Sequence, residues 1–274
     1  MFKIIIMALL IFIGMVGYDN ITDKAQPTTP VQQEQQKVSK HEKSAAMALF
    51  TNLLPPKEEW PSPVHKFYLA FNMDEVIDPI RQNPNWTGLD AMSRDIPQAL
   101  IAIEDHAFYN HGAIAVEGIL RAALANINAG EVVQGGSTLT QQFVKNVFLS
   151  HEQSMERKIE EAVLSLMLED NYSKDEILEL YLNTTYFGAG STGIKQASRT
   201  YFGKAPSALT LAEAAVIASL PYAPTSLNPL ENPDGCKKRQ LLVLAAMHKY
   251  GMINQGQLAE AKAEKIRLTN GTVM

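Results

Sequence analysis

Glu104 and Asp105 are adjacent carboxylates in the stretch IEDHAFYNHG, residues 103–112, among His106, Phe108, Tyr109 and His111. A carboxylate serves as a general base when burial and charged neighbours raise its proton affinity, and an adjacent carboxylate is one way to raise it. The same dipeptide also suits the solvated end of a helix. A zinc-protease site is excluded here, because HExxH needs its two histidines on one helical face with a glutamate between them. His106 and His111 have neither that spacing nor that glutamate.

Two further stretches offer chemistry. In QGGSTLTQQFVKN, Gly135 and Gly136 precede Ser137 and Thr138, followed by an expected helix with Gln141, Gln142, Lys145 and Asn146. Free amides at a helix start attract anions, and glycines let a ligand approach the backbone. A glycine turn capped by Ser137 explains the same pattern without a ligand. It is not a P-loop, because GxxxxGK[ST] is absent. In RKIEE, Arg157 and Lys158 lie four and three residues before Glu161, so the three heads neighbour one another on a helix. Ordinary surface ion pairs have the same spacing.

These groups need a scaffold, and its patterns are helical. SKDEILELYLN opens with Ser173 and has Glu176 three residues on, a capping box in which each side chain meets the other's backbone amide. TLAEAAVIASLP repeats the device with Thr210 and Glu213 and stops at Pro221. In SMERKIEEAVLSLMLE, Ile159, Ala162, Val163, Leu166 and Met167 recur at helical spacing and read as one buried face. Alternating strand patterns are scarce. The domain is expected to be mainly α.

The run IIIMALLIFIGMVGY, residues 4–18, carries no charge and reads as an anchor or signal segment spanning residues 1–19. With no A-x-A-like cleavage site, an uncleaved anchor is favoured, its amino terminus inside and the rest outside. Residues 20–59, rich in Gln, Thr, Pro and Lys, read as a polar linker, which leaves 60–274 as the folded domain. Net charge is −5, from 24 basic and 29 acidic residues. Without a basic excess, nucleic acid is not an expected partner. The one cysteine, Cys236, excludes an internal disulfide.

In order and spacing, EDHAFYNHG, GGSTLTQQFVKN, RKIEE, KDEILELYLN and YFGAGSTGIKQASRTYFGK resemble the five consecutive motifs of the family 51 glycosyltransferases. These are the peptidoglycan polymerases found alone or as the N-terminal half of class A penicillin-binding proteins. The likeness covers about residues 60–250, and the end at Met274 fits the monofunctional form. The resemblance implies a lysozyme-like helical lobe with a smaller membrane-facing jaw lobe. It implies that Glu104 is the base that deprotonates the acceptor hydroxyl of lipid II, supported by Asp105, and that Glu161 is the second catalytic carboxylate, beside the donor diphosphate. Phe108, His111, Gly135, Gly136, Ser137, Thr138, Gln141, Gln142, Lys145, Asn146, Arg157 and Lys158 correspond to substrate-binding positions, and Glu179, Tyr181 and Asn183 to a structural motif.

The implied reaction is one inverting displacement that makes a β-1,4 bond and releases undecaprenyl diphosphate. Inverting sugar hydrolases hold their carboxylates roughly 6.5–9.5 Å apart to admit a water, and here a sugar hydroxyl takes that place. Diphosphate leaves readily when cations stabilise it, a task for Lys145, Arg157, Lys158 and a divalent ion such as Mg²⁺, with no tightly bound cofactor expected. The expected partners are lipid II, the nascent glycan, the membrane and other cell-wall synthesis proteins. Three departures stand out: Gly112 follows His111 directly, Gln153 stands where many members carry arginine, and Glu160 where lysine is common. They leave a second reading open, a weakly active or inactive relative acting as an anchored binding module.

Overall fold

The structure is a computed structural model that describes residues 68–69, 72–120, 127, 135–149 and 154–274. The expected anchor segment and linker, residues 1–59, and Gln153 lie outside the described residues. The chain divides after Leu69 into two units, and the second, Ala70–Met274, contains all the candidate site residues.

That unit is built of helices: α1 (Asp74–Arg81), α2 (Asp95–Glu104), α3 (Leu139–Phe148), α4 (Met155–Asn171), α5 (Lys174–Thr184), α6 (Ile194–Phe202), α7 (Leu211–Ser219), α8 (Pro233–Lys249) and α9 (Gln255–Ala263). Among the described residues extended pairing is limited to the bridges Tyr186–Thr192 and Arg267–Val273, so the fold is mainly α as expected. None of these helices is long and apolar enough to cross a membrane. The described residues do not delimit the smaller jaw lobe.

Local sequence explains where the helices begin. The capping boxes read at Ser173–Glu176 and Thr210–Glu213 both form. Thr138–Gln141 and Asn254–Gln257 form two more, with glutamine in place of glutamate. Each satisfies amides that the first turn leaves without carbonyl partners.

At the core lies α7, whose residues from Ala212 to Ser219 are all buried. Its alanines let α2 and α8 pack against it, and Ile96, Leu100, Val243 and Leu244 from those helices are buried. Each such side chain contributes about 1.5–3 kcal/mol when fully removed from water. The Gln240 carboxamide donates to the Ala212 carbonyl at 2.8 Å, and Lys204 pairs with the buried Glu213 at 2.6 Å. A second layer forms where α3 packs on α4 and α5 through Phe143, Val144, Ile177 and Leu180.

On α4 the inward face is not the expected one. Ile159 is 56% and Leu166 41% exposed, whereas Glu161, Leu164, Ser165 and Leu168 point inward beside Met167. The apolar periodicity misplaced the face because it counted Glu161 as a solvent residue. Its carboxylate is buried with Lys158 and Arg157 alongside, and a paired charge is tolerated where a lone one is not.

Two residues of α5 steer the chain toward α2. Asn183 exchanges hydrogen bonds with Thr87, accepting its N–H and donating to its carbonyl, both at 2.9 Å, and Glu179 accepts the Leu89 N–H at 2.8 Å. Gly193 makes this possible at the next turn: its φ is +85°, and a Cβ there would lie 2.7 Å from the Asn183 carbonyl oxygen. An L side chain would be strained in both respects.

Candidate active site

Glu104 is the last residue of α2, and Asp105 leaves the helix with extended φ, −158°. The two side chains take different directions. Asp105 turns to the start of α3, where one oxygen accepts the Leu139 N–H at 3.0 Å and the other meets His111 Nε2 at 2.6 Å. His111 Nδ1 faces the Gly112 carbonyl, also at 2.6 Å. Asp105 thus holds three segments together. Glu104 faces a cleft of about 390 Å³ with Asp105, His106, His111, Gly135, Gly136, Ser137 and Thr138 among its lining residues.

The glycine turn forms one wall. Gly136 lies so close to the chain at Ile119 that a Cβ would stand 2.9 Å from the Ile119 Cα, so a larger residue would displace that wall. The helix cap is Thr138 and not Ser137: its hydroxyl accepts the Gln141 N–H and donates to the Ala113 carbonyl at 2.7 Å. Ser137 Oγ instead accepts from Lys158 at 3.1 Å.

Glu104 is half-buried, and one bond is resolved on its carboxylate: Gln142 Nε2 donates to Oε2 at 3.0 Å. Burial pushes the carboxyl above its ordinary range; the Gln142 bond and the charges of Arg239 and Lys145 act against this, while Asp105 adds to it. Glu161, 2% exposed, has Lys158 in contact with Oε1 and Arg157 Nη1 at 3.6 Å from Oε2. Arg157 Nε is buried without a hydrogen-bond partner. The cationic pair and the cleft meet at Lys158, which touches both Glu161 and Ser137.

The remaining residues of the expected motifs occupy several environments. Phe108 is fully buried, with the Lys174 ammonium 4.5 Å from its ring centroid. Gln141 folds back on the Thr138 amide and is buried. Lys145 and Asn146 are exposed on α3 and do not line the cleft. Glu160 is half-buried on α4. Tyr181 is buried on α5, its hydroxyl donating to Gln142 Oε1 at 3.0 Å.

Two residues near Glu104 escaped the sequence reading. Arg239 of α8, whose guanidinium lies 4.2 Å from the centroid of the Tyr222 ring, reaches Glu104 with its charge. His106 lines the cleft and stacks on Tyr250, with centroids 4.1 Å apart. Neither carries a local signal, since the first sits in a basic helix start and the second mattered only in testing for a zinc motif.

The transglycosylase family profile matches residues 73–248, which include both carboxylates, the glycine turn and Arg239. The chain belongs to the transglycosylase family. A provisionally named transglycosylase of Cupriavidus necator is 41% identical over 194 residues, covering 71% of this chain and 84% of that one. Penicillin-binding protein 1A of Neisseria flavescens is 44% identical over 185 residues, 68% of this chain but 23% of its own length. The crystal structure of penicillin-binding protein 1A from Haemophilus influenzae overlaps 48% of this chain and 16% of its own at 33% identity, with a TM-score of 0.34. As a transglycosylase, the chain is a glycosyltransferase of peptidoglycan synthesis.

Proposed function

We propose that this transglycosylase polymerises lipid II, taking the growing strand as donor and a new lipid II as acceptor, with inversion at the donor's anomeric carbon. Glu104 is the base. It takes the proton of the acceptor hydroxyl; the hydroxyl oxygen bonds to the anomeric carbon, and the bond to the diphosphate breaks with its electron pair leaving on the phosphate oxygen. The observation that carries this reading is the Glu104 carboxylate, half-buried on the cleft and held through Oε2 by Gln142. A base needs that combination of raised proton affinity and fixed geometry.

Arg157 and Lys158, beside Glu161, are the cations proposed for the leaving diphosphate. Among the described residues no three carboxylate, imidazole or thiol side chains converge as a metal site. A divalent ion at the cleft would add positive charge at the leaving group. The N-terminal apolar run is proposed to anchor the chain in the cytoplasmic membrane with the helical unit on its outer side. There it meets lipid II, the nascent strand and other cell-wall synthesis proteins.

The test uses the full chain in detergent with labelled lipid II, comparing the natural protein with Glu104→Gln. Strand formation that disappears in the variant supports the reading. Strand formation that persists above roughly a tenth contradicts the base, whose contribution is about 10²- to 10⁴-fold. No polymerisation by either protein, with lipid II still bound, would favour the binding-module alternative.

A further inference from the structure

The Gln142 carboxamide joins Glu104 to a phenol from another helix. Its Nε2 donates to Glu104 Oε2 and its Oε1 accepts from the Tyr181 hydroxyl, both at 3.0 Å. Only one amide orientation fits, because the flipped form would set an oxygen against an oxygen of the carboxylate. With that orientation set, the phenol can only donate. Burial, followed by the charge of Glu104, pushes Tyr181 above the usual phenol range, so it keeps its proton in neutral solution. Three helices, α5, α3 and α2, thereby contribute one member each to a line of hydrogen bonds that all point toward the carboxylate.

We propose that Tyr181 is a positioning residue for Glu104, acting through Gln142 to fix the carboxylate by Oε2 and leave Oε1 to receive the acceptor's proton. This makes Gln142 part of the base's support and not a substrate ligand. It rests on the reading of Glu104 as base. The line moves no proton itself; it fixes the rotamer and favours the ionised form, since a bond donated to a carboxylate weakens when the carboxylate is protonated. The other charges that reach Glu104 are Arg239 from α8, Lys145 from α3 and the neighbouring Asp105. None of these is altered by removing the phenol's oxygen.

The experiment compares Tyr181→Phe, Gln142→Met and the double variant in the full chain, measuring kcat, KM and the pH profile with labelled lipid II. Tyr181→Phe is expected to lower kcat roughly 10- to 100-fold with KM nearly unchanged. The acid limb should move to higher pH. The double variant should be no worse than Gln142→Met alone, because both changes break the same line. Additive losses, a raised KM at constant kcat, or natural kcat in Tyr181→Phe would each overturn the proposal. Gln142→Met tests the line at its contact with Glu104 should Tyr181→Phe lose its helical circular dichroism. Glu104→Gln, measured in parallel, separates the two readings: its survival removes the base, whereas its failure beside normal Tyr181→Phe and Gln142→Met enzymes removes only the positioning line.

Discussion

The Lys158 ammonium donates to Ser137 Oγ at 3.1 Å and so binds α4 to the glycine turn at the edge of the cleft. The Lys158 side chain is 45% exposed, so this contact and its pairing with Glu161 are screened by water. Lys158→Ala should change unfolding free energy by under about 1 kcal/mol. Its kcat/KM at subsaturating lipid II should nonetheless fall more than about tenfold, if the charge is spent on a leaving diphosphate. Arg157→Ala should cost more stability, because it removes the less exposed of the two cations beside a buried carboxylate. Urea titrations and initial rates on both variants check the contrast.

Asp105→Ala should destabilise the fold by about 1–3 kcal/mol, the cost of leaving a buried amide such as the Leu139 N–H unsatisfied. Asp105→Asn keeps one oxygen for that amide and should lose less stability. Its Nδ2 donates where the Asp105 oxygen accepts, and the substitution removes the negative charge beside Glu104 and His111, so its polymerisation rate should still drop. Chemical denaturation and strand assays on the pair separate the structural role from the catalytic one.

Glu104→Gln should be at least as stable as the natural protein in neutral solution. In the folded chain the Glu104 carboxyl binds its proton more tightly than in the unfolded chain, so the unfolded state ionises first as pH rises. Stability from this group is therefore present in acid, and is lost from the ordinary carboxylate range upward until the folded group also ionises. Glutamine has no such loss. The advantage of the variant should be absent near about pH 4 and present near about pH 8 in urea unfolding.

Arg239→Gln should shift the acid limb of kcat/KM to higher pH. The guanidinium is one of the charges that favour ionised Glu104 against the larger effect of burial. Without it the base stays protonated to a higher pH, so activity at mildly acidic pH should fall more than activity at alkaline pH. A uniform loss at all pH values would instead assign Arg239 to packing on Tyr222.

Helix starts were legible in the sequence because a capping box is a local device, complete within four residues. Ser173 and Thr210 required nothing distant to be read. The inward face of α4 was not legible, because whether Glu161 is buried depends on three-dimensional pairing that an apolar count treats as forbidden. Glu104 stood out as one of two adjacent carboxylates, and its role came only from motifs that resemble a family. Its surroundings depend on α3, α5 and α8, and no spacing within IEDHAFYNHG encodes Gln142, Tyr181 or Arg239. The cap at Thr138 instead of Ser137 shows the limit of a local reading where two hydroxyl residues are adjacent: the Ala113 carbonyl engages one of them.

Leu139 and Gln142 stand three residues apart on one side of α3, the first bonded to Asp105 and the second to Glu104. A rotation of α3 about its own axis would pull on both carboxylates together, and through Thr138 it would drag the segment at Ala113 that lies next to the cleft wall. The base and the edge of the opening share α3 as a common support. A compound that wedges the glycine turn aside would misalign Glu104 without touching it.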